Sequence, residues 1–214
     1  MQVTIPEEFS HDLAEETGLH AGDGSMNYYS GNGLYSLRGN KKTDAAFYSE
    51  IVLPLYEQIY SFRPILRKWR EVIGFQVASS VLVAFKQQLG LPIGPKNELP
   101  IPKWVWDNGF ETDFVRGVFE TDGCVYLENK NGRKYPRMEI STTSEQLAKD
   151  LAVAIEKQGI PTSYWKQSYS NDWKPLHHVC VRGIENTRRW MEKIGTNHPT
   201  QKAKLSAVRE LRTL

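Results

Sequence analysis

The sequence predicts an α+β fold made by tandem duplication, and three observations carry that expectation. Helix and strand patterns run in the order α-β-β-α-β-β-α and then run through it again. A short Asp-Gly motif recurs in matching surroundings in the two halves, with its aspartates 99 positions apart in a chain of 214 residues. A stretch rich in proline and glycine, Leu91-Pro-Ile-Gly-Pro-Lys-Asn-Glu-Leu-Pro-Ile-Pro, divides the halves and breaks helix and strand alike. We therefore place a first repeat at 1–90, a linker at 91–106 and a second repeat at 107–214.

Each element has a local reason. Ser10 caps a first helix that runs through Leu13, Ala14 and Gly18. Asp107, Asn108 or Thr112 starts the corresponding helix of the second repeat, which holds Phe114, Val115, Val118 and Phe119. Both helices run into Asp-Gly, and strand-like alternation follows. It covers Tyr28-Tyr29 and Leu34–Arg38 in one repeat, and Cys124–Glu128 and Arg137–Thr142 in the other. Ser30-Gly-Asn-Gly and Asn129-Lys-Asn-Gly between these strands are hairpin turn chemistry. Amphipathic helices are expected over 43–60 and 144–159, and further strand pairs over roughly 65–78 and 162–182. Closing helices at 80–89 and 185–194 end at Gly90 and Gly195.

Composition narrows the functional classes. Hydrophobic residues make up 40% and charged residues 24%, an ordinary globular balance, and no apolar run approaches membrane-spanning length. The N-terminus lacks a basic region followed by an apolar core, so an intracellular, cytoplasmic location is expected. Two cysteines, Cys124 and Cys180, are too few for a disulfide framework or a zinc site and read as small apolar residues. Net charge is only +2, but its distribution is uneven: residues 1–24 hold six acids and no Lys or Arg. Basic residues cluster at 63–70, 130–137 and 182–204, which suits a basic surface around an acidic site. Taken alone, such runs equally describe solvated faces.

The paired motifs carry the chemistry. One Asp-Gly at a helix end is only a cap and a turn; two in matching contexts ask for a common reason. Gly18 and Gly117 lie inside helices, where each costs about 1 kcal/mol relative to Ala. Glycine is useful there if a second helix backbone approaches closely. The two helices would then pack about a pseudo-twofold axis and bring Asp23 and Asp122 together. Neighbouring carboxylates repel unless a cation lies between them. An oxygen-preferring divalent metal, chiefly magnesium with manganese possible, fits that role, and the free carbonyls of Gly22 and Thr121 at the helix ends are candidate further ligands. Such a metal on paired acids can activate water against a phosphodiester.

The motifs Gly-Leu-His-Ala-Gly-Asp23-Gly and Gly-Val-Phe-Glu-Thr-Asp122-Gly, their spacing and the duplicated element order resemble the two-motif LAGLIDADG homing endonucleases, most of all the compact archaeal intron-encoded members. Ile101-Pro-Lys-Trp-Val resembles the lead-in to a second copy, and Lys193-Ile-Gly-Thr-Asn-His-Pro-Thr-Gln-Lys-Ala-Lys-Leu resembles the closing segment. The resemblance implies a monomer whose two antiparallel sheets form a saddle on a long asymmetric DNA site, with strands along the major groove. It also implies two metal-binding acids, one cut per strand and 3′ overhangs. A basic residue usually assists at each site. Lys96 and Lys202, each three residues before a Leu, are the candidates, with Lys204 and Lys86 as alternatives. Asn40 and Thr142 at the ends of the second strands match positions that contact the water network. Ala21 stands where an extra acid is frequent, whereas the second motif has Glu120.

Polar strand faces should read bases, and loop lysines should hold phosphates. The candidates are Tyr28, Tyr35, Ser36, Arg38, Lys41, Lys42, Arg67, Lys68 and Arg70 in the first repeat. In the second they are Tyr126, Glu128, Lys130, Arg133, Lys134, Arg137, Glu139, Lys166, Gln167, His178 and Arg182. A one-residue shift in register would exchange the two faces. Core or rim packing is the expectation for most tryptophans; for Trp165 and Trp173, near a variable loop, DNA contact is the alternative and core packing the preferred reading. His177 and His178 read as one inward and one outward strand residue rather than metal ligands. The rival functions are an RNA-binding intron maturase and a DNA-binding protein without catalysis. Retention of both acids favours cleavage over either. A small-molecule phosphohydrolase lacks a supporting phosphate motif. The initial Met and the lack of splice-junction residues weigh against a protein-splicing element.

Overall fold

The computed structural model describes residues 3–130, 132–170 and 172–209, with the side chains of 130, 133, 134 and 207–209 outside that description. The first half contains α1 (His11–Asp23), β1 (Gly24–Tyr29), β2 (Asn32–Asn40), α2 (Ala45–Phe47), a π-helical turn (Tyr48–Val52), α3 (Leu53–Tyr60), β3 (Arg67–Lys68), β4 (Val72–Ala78) and α4 (Ser80–Gln88). The second contains α5 (Lys103–Asp107), α6 (Glu111–Asp122), β5 (Gly123–Lys130), β6 (Arg133–Thr142), α7 (Glu145–Glu156), β7 (Ser163–Gln167), β8 (Leu176–Arg182), α8 (Ile184–Lys193) and α9 (Pro199–Arg209). Two four-stranded sheets result, in the orders β1-β2-β4-β3 and β5-β6-β8-β7, all neighbours antiparallel. No helix among the described residues is long and apolar enough to cross a membrane.

Local chemistry explains the element ends. The Ser10 hydroxyl accepts from the Leu13 N–H and caps α1. Ser79 caps α4 and Ser144 caps α7 in the same way. None of Asp107, Asn108 and Thr112 caps α6: the chain turns through Gly109 in the left-handed region, Phe110 takes the N-cap position without a side-chain bond, and Thr112 already lies in the first turn. The β1–β2 hairpin closes through Ser30 and Gly31, both at positive φ, as a two-residue turn requires. The helix over 45–60 carries a π turn just before Pro54, which has no N–H to continue the α-helical ladder.

Each sheet lays one face on the core. Met26, Tyr35, Leu37, Ile73, Phe75 and Val77 do so in the first half, and Val125, Met138, Ile140, Val179 and Val181 in the second. Between the sheets run α1 and α6, and here the chain meets its tightest constraint. A Cβ built on Gly18 would overlap the Phe114 carbonyl oxygen and stand 3.1 Å from Gly117 Cα. One built on Gly117 would overlap the Glu15 carbonyl oxygen. The two backbones touch, which only glycine permits. At the N-terminal ends of the pair, Arg116 grips Glu15 through Nε and Nη2, at 2.9 and 2.7 Å, and Asp113 through Nη2 at 2.6 Å. His11 reaches Asp113 at 2.7 Å.

Two reciprocal straps complete the join. After the first repeat, the Leu99 carbonyl accepts from Ser144 Oγ at 2.8 Å, and the Ile101 N–H donates to Asp150 Oδ2 at 2.9 Å. After the second repeat, His198 meets Asp44 at 3.2 Å and stacks on Phe47, and Thr200 Oγ1 donates to the Thr43 carbonyl. Each repeat's closing segment thus fastens the start of the other repeat's middle helix.

Gly18→Ala or Gly117→Ala should destabilise the fold by about 2 kcal/mol or more, because overpacking exceeds the roughly 1 kcal/mol gain in helix propensity. Urea denaturation measures it; a stabilised variant would mean the backbones do not touch.

Candidate functional site

The touching helices end together, so the turns Gly22-Asp23-Gly24 and Thr121-Asp122-Gly123 face each other across the pseudo-twofold axis. A Cβ on Gly22 would overlap Thr121 Oγ1 and stand 3.3 Å from Asp122 Cγ, which measures how near the second motif comes to the first motif's backbone. Both carboxyls are held above the usual carboxylate range. Burial pushes Asp23 up to about 7, with Asp122 and Asp44 adding repulsion and Lys96 opposing. Burial raises Asp122 to about 6, again opposed by Lys96. A negative group at a helix C-terminus also faces the unfavourable end of the helix dipole.

Lys96 lies at this junction. Its ammonium donates to the carbonyls of His20 at 2.9 Å and Gly24 at 2.8 Å, and to that of Gly22. It thereby closes the end of α1, where the His20 carbonyl also accepts from the Gly24 N–H. Burial lowers its pKa to about 8, against the pull of Asp122 and Asp23.

The corresponding place in the second half is not taken by Lys202. Gln201 Nε2 donates to the carbonyls of Phe119 at 2.8 Å and Gly123 at 3.3 Å, which stand in the second motif where His20 and Gly24 stand in the first. The Thr196 hydroxyl fixes the Gln201 amide oxygen at 2.8 Å. The reason is helical geometry. Lys96 precedes Leu99 in an irregular turn, whereas 199–209 is a helix, where the residue sharing a face with buried Leu205 lies four positions earlier. Lys202 and Lys204 are exposed, with Lys204 near enough to Cys124 to act on its thiol electrostatically. Lys86 is committed elsewhere: it is fully buried and paired with Glu16, which also accepts from Tyr56 and Tyr60.

The donor set suits a hard divalent cation. Two buried carboxylates held above their usual range are groups that such a cation relieves, and neighbouring carbonyls such as those of Gly22 and Thr121 are oxygen donors too. The described residues hold no cluster of three or more His, Cys, Asp or Glu able to bind a metal. Further ligands would therefore be backbone, water or a bound anionic substrate.

The other face of each sheet is open. In the first half it presents Ser25, Asn27, Ser36, Arg38 and Gln76, with Ser25 and Ser36 hydroxyls 2.8 Å apart and Arg38 4.8 Å above the Trp69 ring. Arg67 pairs with Gly74 and shares this face; Lys68 pairs with Ile73 and faces away. Tyr35, expected at the interface, does not reach it: the register turns it into the core, fully buried beside Glu16 and Tyr56. Tyr28 shares that side, its hydroxyl 3.4 Å from Gln87. Lys41, Lys42 and Arg70 lie on loops at the sheet end, with Lys41 reaching the Arg70 carbonyl and Lys42 near Glu71.

In the second half the open face is interlocked. Arg137 bonds Glu139 at 2.9 Å and Cys180 Sγ at 3.1 Å, approaches Glu128 at 3.6 Å, and lies over the Tyr126 and Trp165 rings. His178 stacks on Trp165 at 4.8 Å and meets Gln167 at 3.1 Å. Arg182 shares the face, its guanidinium 6.0 Å from the Trp165 ring. Trp165 thus leaves the core expectation, as does Trp173, 70% exposed. His177 turns inward, as its alternation with His178 predicts. Lys166, paired with His177, faces the core side at the edge strand. Thr142 also pairs with His177, and its hydroxyl accepts from the Ser144 N–H, so it looks away from the open face; Ser141 looks toward it. The longer β5–β6 hairpin changes the offset between repeats, which is why Thr142 does not correspond to exposed Asn40. Lys130, Arg133 and Lys134 lie outside the described side chains.

Between about pH 4 and 7 the folded chain holds more protons on Asp23 and Asp122 than the unfolded chain does, so raising pH through this window weakens folding. Asp23→Asn should therefore stabilise the metal-free protein by on the order of 1–3 kcal/mol near pH 8, and hardly at all near pH 4. Denaturation in a chelator at the two pH values checks this; an equal effect at both would refute it.

Residues 109–195 match the LAGLIDADG-like domain family. The chain is 29% identical over 139 residues to a replicative DNA helicase DnaB of Rhodothermus marinus (55% of this chain, 15% of the relative). It is 25% identical over 201 residues to a replication factor C small subunit of Methanocaldococcus jannaschii (94% of this chain, 10% of the relative). The chain thus spans only 10 to 15% of the length of these relatives. Its fold is similar to that of I-DmoI in complex with DNA and Ca, with a TM-score of 0.61 and 12% identity over 92% of this chain and 97% of that one. The homing endonuclease I-WcaI bound to its DNA recognition sequence gives 0.60 and 13%, over 99% and 89%. The chain therefore carries a LAGLIDADG-like domain in its second half and, across nearly its whole length, the duplicated fold of single-chain LAGLIDADG homing endonucleases.

Proposed function

We propose that the chain is a site-specific endonuclease that cuts both strands of a long, asymmetric DNA duplex. The observation that carries this reading is the pair Asp23 and Asp122, brought together at the ends of two touching helices with Lys96 beside them. Two open sheet faces flank the pair. A β-ribbon fits the major groove, and the polar side chains there suit base edges and phosphates.

The residues divide the work. Asp23 and Asp122 hold a divalent cation, magnesium or manganese. Bound there, it supplies water activation and charge neutralisation at phosphate oxygens. Lys96 brings positive charge to the same place, and Asn40, at the rim, orients water. The twofold relation between repeats matches the relation between the strands of a duplex, so each half addresses one strand. The resemblance in sequence implies staggered ends with 3′ overhangs. Both acids are retained, which a purely RNA-binding or regulatory role does not require.

Incubation of the protein with magnesium and a library of duplex sites, followed by sequencing of the ends, tests the reading. Cutting at a defined long site is expected, and no cutting of any duplex would overturn it. Asp23→Asn and Asp122→Asn should each keep DNA binding by gel shift while double-strand cutting falls by on the order of 10³-fold or more. Wild-type rates in both variants would remove these residues from the mechanism.

A further inference from the structure

Behind the first acid a buried hydroxyl stands without a partner. Tyr48 is 1% exposed, and its hydroxyl has no hydrogen-bond partner among the described residues. Leaving such a group unpaired is unfavourable, so its place asks for a reason. The strand register shows the place. Gly24, which follows Asp23, lies opposite Leu37 in β2. Gly39, two residues on, shares the core side of the strand with Leu37 and pairs with Ile73. A Cβ on Gly39 would overlap Asp44 Oδ2 and stand 2.9 Å from Tyr48 Cε2. The phenol ring therefore uses the space that Gly39 leaves open near the end of α1. The second repeat exchanges the sizes. Thr142 stands where Gly39 stands, two residues beyond the strand partner of the motif glycine. Ala148 follows the helix-capping Ser144 by four residues, as Tyr48 follows Asp44.

Burial, then the charges of Asp23 and Asp44, hold the phenol well above its ordinary range, so it stays protonated and acts as a donor. Asp44 is already committed. Its Oδ2 accepts from the Asn40 N–H at 2.6 Å. Its Oδ1 accepts from the Thr43 hydroxyl at 2.6 Å and meets His198 at 3.2 Å. Asp23 is left as the acceptor. Resting on the metal site of the proposed endonuclease, we infer that Tyr48 is a positioning residue: its hydroxyl donates to Asp23 once that carboxylate is ionised and turned onto a divalent cation. A carboxylate that binds a cation through one oxygen keeps the other free to accept, and such outer partners fix the orientation of the ligand. Tyr48 touches neither the cation nor the DNA in this arrangement. Its effect is on how firmly Asp23 holds the metal, and it passes no proton.

Tyr48→Phe removes the hydroxyl and keeps the ring that fills the space at Gly39. Manganese binding to the metal-free protein, followed by the electron paramagnetic resonance of the free ion, should weaken by on the order of tenfold. In magnesium-dependent cutting of a duplex recovered from the library, the half-saturating magnesium concentration should rise by a similar factor. The rate at saturating magnesium should stay near wild type. The metal-free melting temperature should hold or rise, because a buried unpaired hydroxyl has been removed. In an Asp23→Asn background Tyr48→Phe should no longer change manganese binding, whereas in an Asp122→Asn background it still should. Unchanged manganese affinity, or equal effects in the two asparagine backgrounds, would overturn the inference. So would a fall in metal-free melting temperature with the magnesium dependence intact, which marks the hydroxyl as merely structural. Weakened manganese binding in a protein that cuts no duplex would instead remove the endonuclease reading and leave the contact standing.

Discussion

Two helices can bring their backbones into contact only where both lack side chains, and α1 and α6 do so at Gly18 and Gly117. That contact sets the distance between the halves and brings both helix C-termini to one place. Carbonyl oxygens and two carboxylates then converge, which is electrostatically unfavourable: burial raises both acids, Asp122 and Asp44 add repulsion at Asp23, and the helix dipoles add to the cost. The chain meets part of this with Lys96, and a divalent cation completes the balance in the proposed function. The site is therefore a strained arrangement of charge that the rest of the fold holds in place.

The holding is done at both ends of the helix pair. Arg116, Glu15 and Asp113 close one end, and Asn197 reaches Glu15 from the closing segment at 2.7 Å. Nearer the acids, the straps through Leu99–Ser144 and His198–Asp44 cross between repeats in opposite senses. The repeats are unequal in detail. The first buries an ion pair of Glu16 and Lys86 among three tyrosines, at a helix position where the second has apolar Val115. The first open face carries small polar groups, whereas the second is an interlocked set around Arg137 and Trp165. Such differences suit an asymmetric duplex, because the two half-sites then meet different surfaces.

Much of this was legible in the sequence. The element order and the sheet hairpins follow from periodicity and turn chemistry. The role of Gly18 and Gly117 follows from their cost inside a helix. Other features depend on register and on the local form of a loop, which composition does not determine. Tyr35 reads as an exposed strand residue, but the β1–β2 pairing turns it onto Glu16. Gln201 carries no motif, and by charge Lys202 is the better chemical match to Lys96. The signal for Gln201 is its four-residue helical spacing to Leu205. Ser25, Asn27 and Gln76 carry no motif and emerge only once the strands are paired.

The most direct test of the central claim is an NMR pH titration of the Asp23 and Asp122 carboxyl carbons, with and without magnesium. Without metal the pair should release its protons in two steps near neutrality, about 6 and about 7, and magnesium should move both steps to lower pH. Independent titration of both near 4, the ordinary value, with no response to magnesium, would contradict the account.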